Sequence, residues 1–62
     1  MTDNAYITVT HGMSGFFAVM LYKHSDGFWE PWTTGIGRYP IKDLAIKEAK
    51  QWAEYEGMEY KE

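Results

Sequence analysis

The chain contains no cysteine. No disulfide can staple it, and thiolate nucleophiles and thiolate metal ligands are excluded. Histidine is scarce: His11 and His24 lie apart in turn-like settings and read as surface imidazoles, so neither a metal nor a cofactor is expected. Bases are also few, six against nine acids, for a formal charge of −3. Non-specific nucleic-acid binding needs a basic patch, so this balance argues against a nucleic-acid partner. The excess of acid is also too mild to suggest nucleic-acid mimicry. Long apolar runs are absent. The longest, Phe16 to Tyr22, has the length of a strand and falls far short of the roughly 20 residues of a membrane span. Met1 to Asn4 is polar and carries Asp3, unlike the basic leader of a signal peptide. A cytoplasmic location without membrane contact is expected.

What is present is apolar and aromatic. The 62 residues leave room for one domain, taken as 1–62 with short flexible ends at about 1–4 and 58–62. A folded chain of this size buries only about 60% of the surface that its unfolded form exposes. Stability must therefore come from dense apolar burial, and the supply is 45% hydrophobic and 18% aromatic, with three tryptophans. A chain so rich in Trp and Tyr packs a dense core, presents an adhesive face, or does both, for example through a homodimer.

Periodicity organises the chain. Residues 5–11 alternate in β-rich composition, with Ile7 and Val9 on one face and Tyr6, Thr8 and Thr10 on the other. His11 to Gly15 reads as a turn. Residues 15–23 form the strongest strand, apolar on both faces, as suits a central strand. Asp26-Gly27 marks a second hairpin. The third strand spans about 28–38. Pro31 cannot donate to a ladder, which places this strand at an edge or a bulge. Gly35 and Gly37 project nothing, so a bulky neighbour is expected close by, either a packed helix or the backbone of a ligand.

After Pro40 the period becomes helical: Ile41, Ala45, Ala49 and Trp52 recur at spacings of four, four and three. The helix is expected over 41–56 without a good N-cap. It should stop at Gly57, a natural left-handed residue, with Met58 folding back on Ala53. The fold class is thus α+β: a three-stranded antiparallel meander, order 1-2-3, with one C-terminal helix packed on one face (β-β-β-α). The expected core is Ile7, Val9, Phe17, Val19, Leu21, Ile36, Ile41, Ala45, Ala49 and Trp52. Phe16, Ala18 and Met20 replace Phe17, Val19 and Leu21 if the helix takes the other face of the second strand.

One helix cannot cover both faces of such a sheet. The candidate interaction face is Phe16, Met20, Tyr22, Trp29, Trp32 and Tyr39, because an exposed apolar patch of this kind marks a partner surface. The competing reading folds the loops and chain ends over it.

Catalytic constellations are thin. Glu30 and Arg38 share a strand face but stand about 27 Å apart if the strand is straight. Glu30 and His24 form a conceivable acid–base couple across the hairpin, yet nothing encloses them. Gly35-Ile36-Gly37 precedes a strand end and a proline and does not head a helix, so it is no phosphate loop. No catalytic residue is assigned, no enzyme is expected, and no small-molecule substrate is expected. Sheet aromatics could stack bases, but a basic surround and a fourth strand are missing from this reading.

The stretches Gly27-Phe28-Trp29-Glu30-Pro31-Trp32 and Thr34-Gly35-Ile36-Gly37-Arg38-Tyr39, followed by a helix containing Gln51-Trp52-Ala53, resemble a group of very small bacteriophage and bacterial proteins. The resemblance covers about Gly15 to Tyr60. This chain departs from the group at Ile41, where its members more often carry a Thr or Ser cap. The group offers no activity to transfer residue by residue. The expected function is a non-enzymatic protein-binding module, of the kind small phage proteins use to modulate a host protein. The alternatives are a self-associating structural domain and, third, a weak nucleic-acid binder using the sheet aromatics.

Overall fold

The structure, a computed structural model, describes residues 4–61. Strand β1 spans Ala5–Gly12, β2 Gly15–Lys23, β3 Trp29–Thr34 and β4 Glu59–Tyr60, and helix α1 spans Lys42–Glu56. The sheet has four strands in the order β3-β2-β1-β4. Strands β1, β2 and β3 pair antiparallel, and β4 lies parallel to β1. The α+β class therefore holds, with a four-stranded mixed sheet in place of the expected three-stranded meander. The fourth strand comes from residues read as a tail. The Lys61 N–H extends the pairing by donating to the Ile7 carbonyl at 2.9 Å. Of the ends expected to be flexible, residues 1–3 and 62 lie outside the described residues.

The end of α1 explains how the chain returns to the sheet. Gly57 adopts the left-handed conformation, φ 73°. The Gly57 N–H donates to the Glu54 carbonyl at 3.3 Å, and the Met58 N–H donates to the Ala53 carbonyl at 2.8 Å. This is the Schellman arrangement, and its paired bonds reverse the chain within two residues. Met58 then packs against the core, as the sequence predicts, and aims the chain along β1. At the other end Ile41 precedes the helix with no side-chain cap, as its apolar side chain requires.

The core lies between α1 and one face of the sheet. Ile7, Ala18, Met20, Ala49 and Ala53 form it, with Val9, Trp52, Met58 and Tyr60 packed around them. The register decides this face. Met13 and Ser14 make the link between Gly12 and Gly15, which pairs Ile7 with Met20 and Val9 with Ala18. Directly opposed residues share a face. Phe17, Val19 and Leu21 therefore project from the opposite face, together with Tyr6, Thr8 and Thr10. This corrects the expected core in favour of the Ala18 and Met20 alternative. Ile36 and Ile41 leave the core as well, at 99% and 57% exposure. Ile36 sits beyond the end of β3, in a segment without strand pairing, and Ile41 sits outside the helix. Trp52 is half-buried, and its indole N–H donates to the Glu56 carboxylate at 3.3 Å.

Strand β3 is both an edge strand and bulged, as Pro31 predicts. Its register shifts between Met20 and Leu21, which pair with Thr33 and Pro31 and leave Trp32 as the extra residue. The extra residue exchanges the two faces of β3 downstream. Gly35 consequently turns toward α1. A Cβ at Gly35 would collide with the Glu48 carboxylate, and one at Gly37 would lie 2.6 Å from it. The bulky neighbour of Gly35 is thus the helix, through Glu48, and that of Gly37 is Glu48 together with the Tyr39 ring.

Ile7 has no exposed surface and Ile36 is almost wholly exposed. Ile7→Ala is expected to lower the unfolding free energy by about 2–5 kcal/mol through loss of burial and the cavity left behind. Ile36→Ala should change it by no more than about 0.5 kcal/mol. Urea denaturation of both variants followed by circular dichroism checks this pair.

Candidate functional site

Helix α1 packs on β1, β2 and β4 and does not reach β3. Among the described residues, none therefore covers the helix side of the sheet along its β3 border. A groove of about 530 Å³ opens there, lined by Asn4, Ala5, Met20, Tyr22, Trp32 and Met58. Each wall has a local cause. Ala5 and Met20 project toward the helix by strand alternation, and both are buried. Tyr22 extends the same face of β2 toward the strand's end and is 45% exposed. The β3 bulge sets Trp32 beside it, 71% exposed, with ring centroids 6.1 Å apart and planes tilted by 47°. Met58 arrives through the reversal at Gly57. Five of the six lining residues are apolar or aromatic, and Asn4 is the sixth. Such a surface is mostly apolar, with polar groups from Asn4 and the Tyr22 hydroxyl.

Of the candidate interaction residues, the structure brings together Met20, Tyr22 and Trp32. Phe16 and Tyr39 also share the helix side but pair with each other in an isolated bridge outside the groove. Trp29 lies on the opposite face, opposite Lys23, and meets Tyr6 edge-on with centroids 4.9 Å apart. Asn4, Ala5 and Met58 were not anticipated as part of the site. No local signal marks them, because the groove's walls come from separate elements brought together by the fold.

The second surface is the sheet face away from the helix. Tyr6, Phe17 and Trp29 lie half-buried there, with Val19 beneath them at 6% exposure. No segment among the described residues crosses this face. Three cations lie over the rings instead: the Arg38 guanidinium 4.3 Å from the centre of Phe17, Lys61 Nζ 5.0 Å from that of Tyr6, and Lys23 Nζ 6.0 Å from that of Trp29. Arg38 is held in place by donating to the carbonyls of Gly35 and Gly37 at 2.9 and 3.1 Å.

Two polar contacts lie outside these surfaces. His24 Nε2 and the Glu30 carboxylate meet in the exposed hairpin. Glu30 and Arg38, as the strand spacing indicates, form no pair: Glu30 engages His24 and Arg38 stands over Phe17. Tyr39 donates its hydroxyl hydrogen to Glu48 Oε1 at 2.8 Å. That hydrogen bond, then burial, then the nearby carboxylate charge raise the Tyr39 pKa above its ordinary value. No cluster of His, Cys, Asp and Glu among the described residues is arranged to hold a metal ion, and no described helix is long and apolar enough to cross a membrane.

Comparison with family models, curated proteins and solved structures yields no match.

The Tyr39–Glu48 contact predicts a contribution to stability that is lost at alkaline pH. The neutral phenol is favoured in the folded state, so its contribution is complete below the unfolded tyrosine pKa of about 10. It is lost as pH rises through the higher folded value. Tyr39→Phe should remove this part of the alkaline decline. Melting curves at stepped pH values above 9 are expected to converge for the two proteins as pH rises.

Proposed function

We propose that this chain is a small, non-enzymatic protein-binding module whose docking surface is the groove between Trp32 of β3 and Met58, on the helix side of the sheet. The observation that supports it is the exposure of Trp32 and Tyr22 at the rim of an apolar groove floored by Met20. An uncapped tryptophan beside a tyrosine, over a buried floor, is the arrangement in which interface hot spots concentrate. Large rigid rings contribute contact area at little cost in side-chain entropy. Strand β3 adds a second feature. As an outer strand it offers unpaired backbone groups beside the groove. An extended partner segment along that edge would point every second side chain toward Trp32.

The resemblance to small phage and bacterial proteins makes a bacterial host protein, met in the cytoplasm, the partner class in this proposal. Self-association through the same edge is the second reading, favoured by the same unpaired strand. Light scattering at high micromolar concentration separates the two. A Trp32-dependent dimer supports self-association, and a monomer leaves the groove to another protein.

The direct test is capture from a bacterial extract by the immobilised chain. A partner retained by the wild type should be lost by more than about tenfold with Trp32→Ser, an effect of the size expected for a hot-spot aromatic. It should be kept with Tyr55→Ser, since Tyr55 is an exposed ring that does not line the groove. Equal retention by Trp32→Ser would refute the groove as the docking surface.

A further inference from the structure

The face of the sheet away from the helix has a charge pattern opposite to that of the whole chain. Lys23, Arg38 and Lys61, half of the six basic residues, stand over it. Among the described residues, strand pairing places one carboxylate there, Glu59, which shares the face of its partner Tyr6. The acids Asp43, Glu48, Glu54 and Glu56 belong to α1, in the layer behind the sheet, and Glu30 is engaged by His24. A chain with net charge −3 thus carries a local positive surface, and each of its cations rests on an aromatic ring. Between the rings Thr8, Thr10 and Thr34 project hydroxyl groups on the same face.

We propose that this open sheet face binds single-stranded nucleic acid, stacking bases on Tyr6, Phe17 and Trp29 and holding phosphates with Lys23, Arg38 and Lys61. The warrant is complementarity of both kinds at once. A purely anionic partner would use the cations and leave the rings idle, whereas a single strand presents flat bases and phosphates in alternation. Phe17 lies four strand positions from Leu21, the partner of Tyr6, so the rings spread along about 14 Å of β2. That is room for a short run of nucleotides. The cations now occupy the ring faces. On binding, the flexible stems of Lys23 and Lys61 turn to the phosphates, Arg38 exchanges its hydrogen bonds to the Gly35 and Gly37 carbonyls for a phosphate, and the bases take the vacated stacking positions. A duplex keeps its bases stacked inside and cannot use the rings. The four-stranded sheet supplies the platform, and the cations supply the basic surround.

Fluorescence anisotropy of a labelled oligothymidylate, titrated with the intact chain at low salt, tests this. Saturable binding with quenching of tryptophan emission is expected. With three phosphate contacts, the slope of log K against log salt should be about −2, from about −0.7 per contact on a single strand. Lys61→Gln and Lys23→Gln should each make the slope shallower by about 0.7. Phe17→Leu and Tyr6→Leu keep an apolar side chain but remove the stacking surface, and should weaken binding several-fold while the far-ultraviolet circular dichroism stays unchanged. Absence of binding at low salt overturns the proposal. So does equal or tighter binding of a duplex of the same length. Competition by polyglutamate as effective as that by unlabelled oligothymidylate also overturns it and assigns the face to an acidic polypeptide.

Discussion

The close seat of α1 on β1 and β2 is the contact on which the other features depend. Ala45, Ala49 and Ala53 form the buried stripe of the helix, and small side chains let its backbone approach Ile7, Ala18 and Met20. In a domain of 62 residues that closeness is what a limited apolar supply requires. It also fixes where the helix cannot be. Drawn over β1 and β2 and tied to β4 by the reversal at Gly57, α1 does not cover the β3 border of its own face, and no described segment crosses the opposite face.

The two surfaces differ in chemistry because strand alternation sorts different residues onto them. On the helix side, Met20, Tyr22 and Trp32 make an apolar recess with little charge at its walls. On the other side, Tyr6, Phe17 and Trp29 carry cations, and Val19 is buried beneath side chains alone. The charged heads of Lys23, Arg38 and Lys61 lie over these rings, so cation–π contacts occupy the face in the described residues. A protein docking in the groove and a strand of nucleic acid on the sheet would meet separate surfaces and need not compete.

Much of this was legible in the residues, and the part that was not has identifiable causes. Strands β1 and β2, the helix, its stop at Gly57 and the fold-back of Met58 followed from periodicity and from the left-handed preference of glycine. The choice of sheet face did not, because the turn was read as the five residues His11 to Gly15. A two-residue link at Met13-Ser14 puts odd-numbered residues of β1 opposite even-numbered residues of β2, and with that parity Ile7 selects Met20. In β3, Pro31 signalled a bulge but not which residue would be extra. The extra residue Trp32 is what sends Gly35 toward the helix and sets Trp32 beside Tyr22. Strand β4 escaped because two residues carry no period, and only the direction of exit from α1 lays Glu59 and Tyr60 beside β1. The groove lies further still from sequence, since its walls come from separate elements.

The central claim is that α1 covers the face of the sheet carrying Ile7, Ala18 and Met20. Nuclear Overhauser effects from the Ala49 and Ala53 methyl groups test it most directly. The account predicts cross-peaks from these methyls to Ile7, Ala18 and Met20, and none to Phe17, Val19 or Leu21. Cross-peaks from Ala49 to Val19 or Leu21 would place the helix on the other face and remove the basis for both surfaces.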